Sequence, residues 1–362
     1  YLPILFIIGW HLYTFLPPAD PYAGRPFDLS ERLLTEARVM LDYIRVILIP
    51  TRGGTGVFHD DVNLSYGLMA PPATLACVIA LLGLLFSALI LRRRQPVYSF
   101  GVLWFFAGHV LESGIVPLEI YFEHRNYLPM LGPVFALVYF AVTLDGKLKN
   151  FVRTALIVFI SLAAFSTWHN VQIWGDHARS STVWETEHPA SVRATQFAMN
   201  FWLRVGHYDK ASARLDRITE MQPSWTGARL EKLYVACLSG EVPAGYSTDA
   251  LIARLAVTEW DTVTVQVLGK IFARINKTPC QIVGPRDLIR ITDALINNPS
   301  FRRRSPTIAG LLILQSRSYE SLNDPVSKAR TLSSAYSWNN NWHIALQESI
   351  VWEDLGEYDK AL

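Results

Sequence analysis

The chain has 362 residues, 51% of them hydrophobic and only 18% charged, a composition that points to more than one domain, at least one of them in lipid. The formal net charge of +2 argues neither way about nucleic acid, which is not expected as a partner. Taken in order, residues 1–16 are apolar and aromatic and stop at Pro17 and Pro18, which reads as the end of a membrane span; His11 inside it reads as a packing residue rather than a ligand. Tyr1 is not an initiator methionine, and the chain stops at Leu362 inside a repeat, so it reads as an internal piece of a longer protein.

Residues 17–37 turn polar, and Asp28 or Ser30 is positioned to cap a helix beginning near Glu31. From Glu31 to Ile49 the pattern is amphipathic, with Leu34, Val39, Leu41, Ile44, Ile47 and Leu48 against Asp42 and Arg45. Its apolar part is short for a bilayer. The helix is therefore expected along the membrane surface, with a re-entrant path as the alternative.

Residues 51–68, TRGGTGVFHDDVNLSYGL, carry two features. Gly53, Gly54 and Gly56 make a turn that a phosphate could approach, although no strand precedes it. His59, Asp60 and Asp61 are the sharper feature. Carboxylates beside an imidazole suit a divalent cation, Mg or Mn, or can share a proton between them. The structural alternative is an Asx turn opening a loop.

Four apolar runs follow, at 73–91, 98–111, 130–144 and 152–168. Arg92, Arg93 and Arg94 close the first, and Lys147, Lys149 and Arg153 follow the third. Both basic clusters fall on one side, which the positive-inside rule makes the cytoplasm. The 51–72 loop, the 112–129 segment and everything after Trp168 then face outward.

The 112–129 segment, ESGIVPLEIYFEHRNYLP, places Glu112, Glu119, Glu123, His124 and Arg125 among Tyr121, Phe122 and Tyr127, between two apolar runs. Ionisable groups beside hydrocarbon are costly unless they pair or meet water, so the cluster is a functional-site candidate. The competing reading is a solvated loop with an interfacial aromatic belt. Pro117 and Pro129 bracket it and favour a folded-back path.

The same segment resembles bacterial polytopic membrane proteins that carry tetratricopeptide repeats. These are similar in turn to the transmembrane-and-TPR protein O-mannosyltransferases, in which a glutamate and an Arg-x-x-Tyr-Leu-Pro element hold the corresponding place. The resemblance covers about residues 30–225 and is sharpest at Glu119, Glu123, Arg125, Tyr127, Leu128 and Pro129. It implies a membrane glycosyltransferase of the GT-C type that uses a polyprenyl-phosphate sugar. On that reading Glu119, Glu123, Asp60 and Asp61 are the catalytic carboxylates. Arg125, Tyr127 and His124 contact the donor phosphate, the arginine through a bidentate fork. His59, Asp60 and Asp61 are the candidate metal ligands.

From His169 the pattern becomes that of a water-exposed helical array. Pro189 and Pro223 are 34 residues apart, as are Gly206 and Gly240, and 34 is the tetratricopeptide period. Gly206, Tyr208 and Ala211 match the G-x-Y-x-x-A phrase that opens the second helix of a unit, and Gly356, Tyr358 and Ala361 repeat it. The expected architecture is all-α: residues 1–168 as the C-terminal part of a GT-C-like helical membrane domain, and 169–362 as an extracytoplasmic TPR-like α-solenoid. A Cys237–Cys280 disulfide is allowed outside the cytoplasm but not expected, and Cys77 reads as a small apolar residue.

Three function classes follow. The first is a sugar transferase in the bacterial inner membrane, with lipid, a polyprenyl-phosphate donor and a protein or peptide acceptor in the TPR groove as partners. The second is a non-enzymatic scaffold for an envelope, pilus or polysaccharide-export complex. A transporter is the weakest, because no symmetric pair of broken helices is visible.

Overall fold

The computed structural model describes Tyr22 and residues 25–49, 57–242 and 245–361. The apolar run at 1–16 with His11, and the turn at Gly53, Gly54 and Gly56, lie outside the described residues. Within them the chain is all-α, with isolated bridges and no strand. It forms two compact units, Tyr1–Ser191 and Val192–Leu362. The composition changes at 168/169, but the polar residues up to Ser191 pack with the first unit.

In the first unit α1 (Leu29–Leu48) is started by a reciprocal cap. The Asp28 carboxylate accepts from the Glu31 N–H at 2.8 Å, and Glu31 accepts from the Asp28 N–H at 2.9 Å. Its buried stripe runs Arg32, Thr35, Glu36, Val39, Tyr43, Ile47, at the three- and four-residue spacing of one helix face. Val39 and Ile47 of the apolar pattern are buried, but Leu34, Leu41 and Ile44 are only half-buried and Leu48 is exposed, while Arg32 and Glu36 take places in the covered stripe. The reason is chemical: Arg32 and Glu36 neutralise each other at 3.0 Å, and the guanidinium goes on to satisfy backbone carbonyls of the 112–118 loop.

Helices α2 (Ala73–Leu91), α3 (Pro96–His109) and α4 (Leu131–Thr143) pack in succession, and α5 (Lys149–Trp174) leads to α6 (His177–Glu187), capped by Asp176. α3 and α4 approach closely because glycine faces glycine. A Cβ on Gly101 would stand 2.9 Å from the Gly132 carbonyl, and one on Gly132 would stand 2.7 Å from the Gly101 carbonyl. Among the described residues α2 and α5, of 19 and 26 residues, are long and apolar enough to cross a membrane. α3 and α4, with 14 and 13 residues, rise only about 20 Å each, short of a bilayer core. The 112–129 segment is irregular apart from a single 3₁₀ turn at Glu123–Asn126.

The second unit consists of α7 (Val192–Arg204), α8 (Tyr208–Met221), α9 (Thr226–Ser239), α10 (Thr248–Leu255), α11 (Thr264–Lys277), α12 (Pro285–Asn297), the short α13 (Pro299–Arg302), α14 (Ser305–Ser321), α15 (Pro325–Trp338), α16 (Trp342–Asp354) and α17 (Tyr358–Ala361), with α9 packed on α11, α10 on α12 and α12 on α14. Gly206 sits between α7 and α8 at φ +81°, and Gly240 ends α9 at φ +77°. Both adopt the left-handed conformation that lets a chain leave one helix for the next. Pro223 lies in the link from α8 to α9. One core gathers Met199, Leu215, Ile218 and Val235, and a larger one gathers Leu268, Ile271, Ile291, Phe301 and Leu311.

Cys237 and Cys280 form a disulfide, contrary to the sequence expectation. The end of α9 and the segment after α11 bring their Cα atoms to 5.2 Å, inside the range a disulfide spans.

Candidate active site

The richest chemistry lies in the first unit, where α1 presents Arg38, Asp42 and Arg45 on the edge of its buried stripe. Two irregular segments are fastened across it. The 57–66 segment is pinned by Arg38, whose Nη1 donates to the Asn63 carbonyl at 2.8 Å, and by the Ser65 N–H, which donates to Thr35 Oγ1 at 2.8 Å. On the other flank the Tyr43 hydroxyl both donates to the Phe122 carbonyl and accepts from the Phe122 N–H, each at 2.9 Å. These bonds hold His59, Asp61, Tyr121 and Glu123 near one another.

Between the segments opens a cleft of about 810 Å³, lined among others by Arg38, Asp42, Arg45, His59, Asp61 and His188. Asp42 accepts from Arg45 Nε at 2.6 Å and from the Tyr121 hydroxyl at 2.7 Å. The His59 ring lies against Tyr121 with centroids 4.2 Å apart, and its Nε2 is 3.7 Å from Glu123 Oε1. His188, delivered by the turn after α6, points Nδ1 at both oxygens of Asp61, at 3.1 and 3.2 Å. That is an imidazole oriented by a carboxylate, its ring nearly perpendicular to that of His59 with the centroids 4.9 Å apart.

The carboxylates differ in charge state. Burial, then the charges of Asp42 and Glu187, raise the Glu123 carboxyl to about 7. Burial would also raise Asp42, but hydrogen bonds from Arg45 and Tyr121 outweigh it and hold Asp42 below the usual carboxylate range. Burial and the hydrogen bond to Asp42 push the Tyr121 hydroxyl up, so it stays a proton donor. Glu36, beneath the site, is raised to about 7 by burial, against the pull of Arg32.

The sequence-predicted residues separate into three groups. Asp61 and His59 line the cleft, and Glu123 does not line it but lies 3.7 Å from the His59 Nε2. Asp60 turns away and accepts from Ser191 Oγ. His59, Asp60 and Asp61 thus address three different partners instead of one point, and among the described residues no group of three His, Cys, Asp or Glu is arranged to hold a metal ion.

Arg125 is committed inside its own loop. Its Nε meets Glu112 at 3.0 Å, Nη1 donates to the Glu119 carbonyl, and the guanidinium lies 5.2 Å from the Phe122 ring centroid. Tyr127 and His124 are exposed, with His124 edge-on to Phe122 at 4.8 Å. None of these three lines the cleft. The cations that do are Arg38 and Arg45. Sequence reading treated them as polar residues of a surface helix, although their spacing with Asp42 already placed all three on one helix edge. His188 carried no local signal, since 127 residues separate it from Asp61.

Comparison of the sequence with protein-family models and with curated proteins returns no match.

Proposed function

We propose that the chain is part of a membrane sugar transferase that moves a sugar from a polyprenyl-phosphate donor to a protein or glycan acceptor, with the cleft over α1 as the reaction site. One observation carries this reading: a histidine oriented by Asp61 and two arginines line the same cleft, in a unit that holds two helices long and apolar enough for a membrane. In the step we infer, His188 takes the proton of the acceptor hydroxyl, its imidazolium steadied by Asp61. The acceptor oxygen bonds to the anomeric carbon as the bond from that carbon to the phosphate oxygen breaks. Polyprenyl phosphate leaves with the bonding electrons, its charge met by Arg45 and Arg38. Asp42 steadies Arg45, and Tyr121 remains a donor beside them.

The second unit suits acceptor recognition. Its glycine-punctuated helix pairs and the 34-residue spacing support a TPR-like array. The Cys237–Cys280 disulfide supports an oxidising, extracytoplasmic compartment for it, and with it an inner-membrane, multi-pass arrangement.

The test is transfer of radiolabelled mannose from a polyprenyl-phosphate donor to a Ser/Thr-rich peptide by the full chain in proteoliposomes. Transfer that falls at least about a hundredfold in His188→Gln, with unchanged melting temperature, is expected. Equal activity in His188→Gln and Arg45→Gln would remove the cleft from the chemistry. A wild-type chain that neither binds donor nor transfers sugar would leave the assembly-scaffold reading.

A further inference from the structure

The second unit holds a pocket that the transferase reading leaves unused. It has a volume of about 300 Å³ and is walled by Arg229, Lys232 and Leu233 of α9, and by Tyr246, Leu251 and Arg254 of the segment that forms α10. Three cations therefore face one small space. Lys232 has a counter-ion, Asp216 of α8. Arg229 and Arg254 have none: among the described residues neither has a carboxylate within ion-pair distance. Arg229 spends Nη2 on the Pro223 carbonyl at 2.5 Å, and its Nε is buried without a hydrogen-bond partner.

Two guanidinium groups close enough to repel, one with a buried unsatisfied N–H, are a costly arrangement for a free protein. Burial and then the charge of Arg254 lower the Arg229 guanidinium from its ordinary value, which agrees with the two forks sharing one space. An anion between the two guanidinium groups would offset their repulsion. The charge count selects its type. With Lys232 compensated, two positive charges remain, and a carboxylate would neutralise only one. A phosphate monoester carries about −1.5 to −2 near neutral pH and offers three acceptor oxygens to planar forks. The rest of the wall, Leu233, Leu251 and the Tyr246 ring, is apolar, and fits a short carbon body behind the phosphate better than a bare ion.

We propose that the pocket framed by Arg229, Lys232 and Arg254 is a binding site for a phosphate monoester on a small organic body, supplied as a free metabolite or as a lipid headgroup.

The experiment uses the full chain in detergent micelles and titrates glycerol 3-phosphate by calorimetry at constant ionic strength, with acetate as the monoanion control. Saturable binding is expected, weakened at least about tenfold in Arg254→Gln through loss of a charge-assisted hydrogen bond. Arg254 is exposed, so that variant should melt as the wild type does. Arg229→Lys, which keeps charge but loses the fork, should weaken binding as well. Because the second phosphate ionisation lies near pH 6, affinity should fall on acidification from about pH 7.5 to about pH 5.

Sedimentation with phosphatidic acid vesicles, and phosphatidylglycerol vesicles as diester control, assigns the source. Arg254-dependent capture by phosphatidic acid alone supports the lipid headgroup. Calorimetric binding without capture supports the free metabolite. The proposal is overturned if neither probe binds in an Arg254-dependent way, or if acetate binds as tightly as glycerol 3-phosphate.

Discussion

The Arg32 guanidinium meets the Glu36 carboxylate at 3.0 Å with both side chains out of solvent, and the same guanidinium donates to the carbonyls of Glu112, Gly114 and Leu118. One buried residue therefore ties α1 to the loop whose far end carries Tyr121 and Glu123. Removing it should leave a buried carboxylate and three carbonyls without their donor. Arg32→Met is expected to destabilise the first unit by about 3–5 kcal/mol, read from thermal unfolding. The double variant Arg32→Met/Glu36→Leu should recover only part of that loss, because the carbonyls stay orphaned. Full recovery in the double variant would show that the ion pair alone mattered.

The raised carboxyl of Glu123 makes stability depend on pH with a definite sign. Its ordinary value is 4.5 and the folded value about 7, so between them the folded chain keeps a proton that the unfolded chain releases. The contribution is fully present below the ordinary value and is lost as pH rises through about 7. The melting temperature of the wild type should therefore fall across that window, and Glu123→Gln should reduce the fall, with Glu36, raised over the same range, supplying the remainder. A variant with an unchanged pH profile would remove Glu123 as its source.

Arg125 and Arg45 should respond differently to lysine. Arg125 reaches Glu112, the Glu119 carbonyl and the Phe122 face together, which an ammonium cannot reproduce, so Arg125→Lys should cost about 1–2 kcal/mol of stability. Arg45 is half-exposed and bonded within its own helix to Asp42, so Arg45→Lys should leave the melting temperature in place. Its effect should appear as weaker donor binding. The reverse pattern would return the donor phosphate to the 119–127 segment.

Two glycines of the second unit test two different constraints. Nothing lies within 4 Å of a Cβ built on Gly206, so Gly206→Ala is penalised only through its φ of +81°, at about 1 kcal/mol. A Cβ on Gly227 would stand 2.5 Å from Val263 Cγ2, so Gly227→Ala must displace a neighbour, at about 1–3 kcal/mol. Denaturant melts of both variants check this. Equal tolerance of alanine at the two sites would contradict the packing described.

Thiol accessibility tests the disulfide and the orientation together. The unreduced chain should take one maleimide–polyethylene glycol adduct, at Cys77, and reduction should expose Cys237 and Cys280. In intact cells an impermeant reagent should label a cysteine placed at Ser113 but not one placed at Arg93. Labelling at Arg93 without labelling at Ser113 would reverse the orientation.

Local chemistry made much of this molecule legible in advance. The all-α content, the cap at Asp28, the long apolar helices α2 and α5 and the left-handed exits at Gly206 and Gly240 all arise within a few residues, through side-chain periodicity, capping and backbone sterics. His59, Asp61 and Glu123 were likewise visible as ionisable residues in segments that lie between apolar runs.

Tertiary structure alone decided which of these groups meet. Asp61 found His188 across 127 residues and Asp60 found Ser191 across 131, so adjacent carboxylates that read as one cation site became two separate contacts. That the partners of Arg125 are Glu112 and the Glu119 carbonyl was likewise not visible in the sequence. Arg32 and Glu36 lie in a stretch whose composition is polar, yet they are buried, because a charge may leave water when its partners are supplied by a distant loop. The Cys237–Cys280 bond has the same origin: 43 residues apart in the chain, the two thiols are joined because helix stacking carries their backbones to within 5.2 Å.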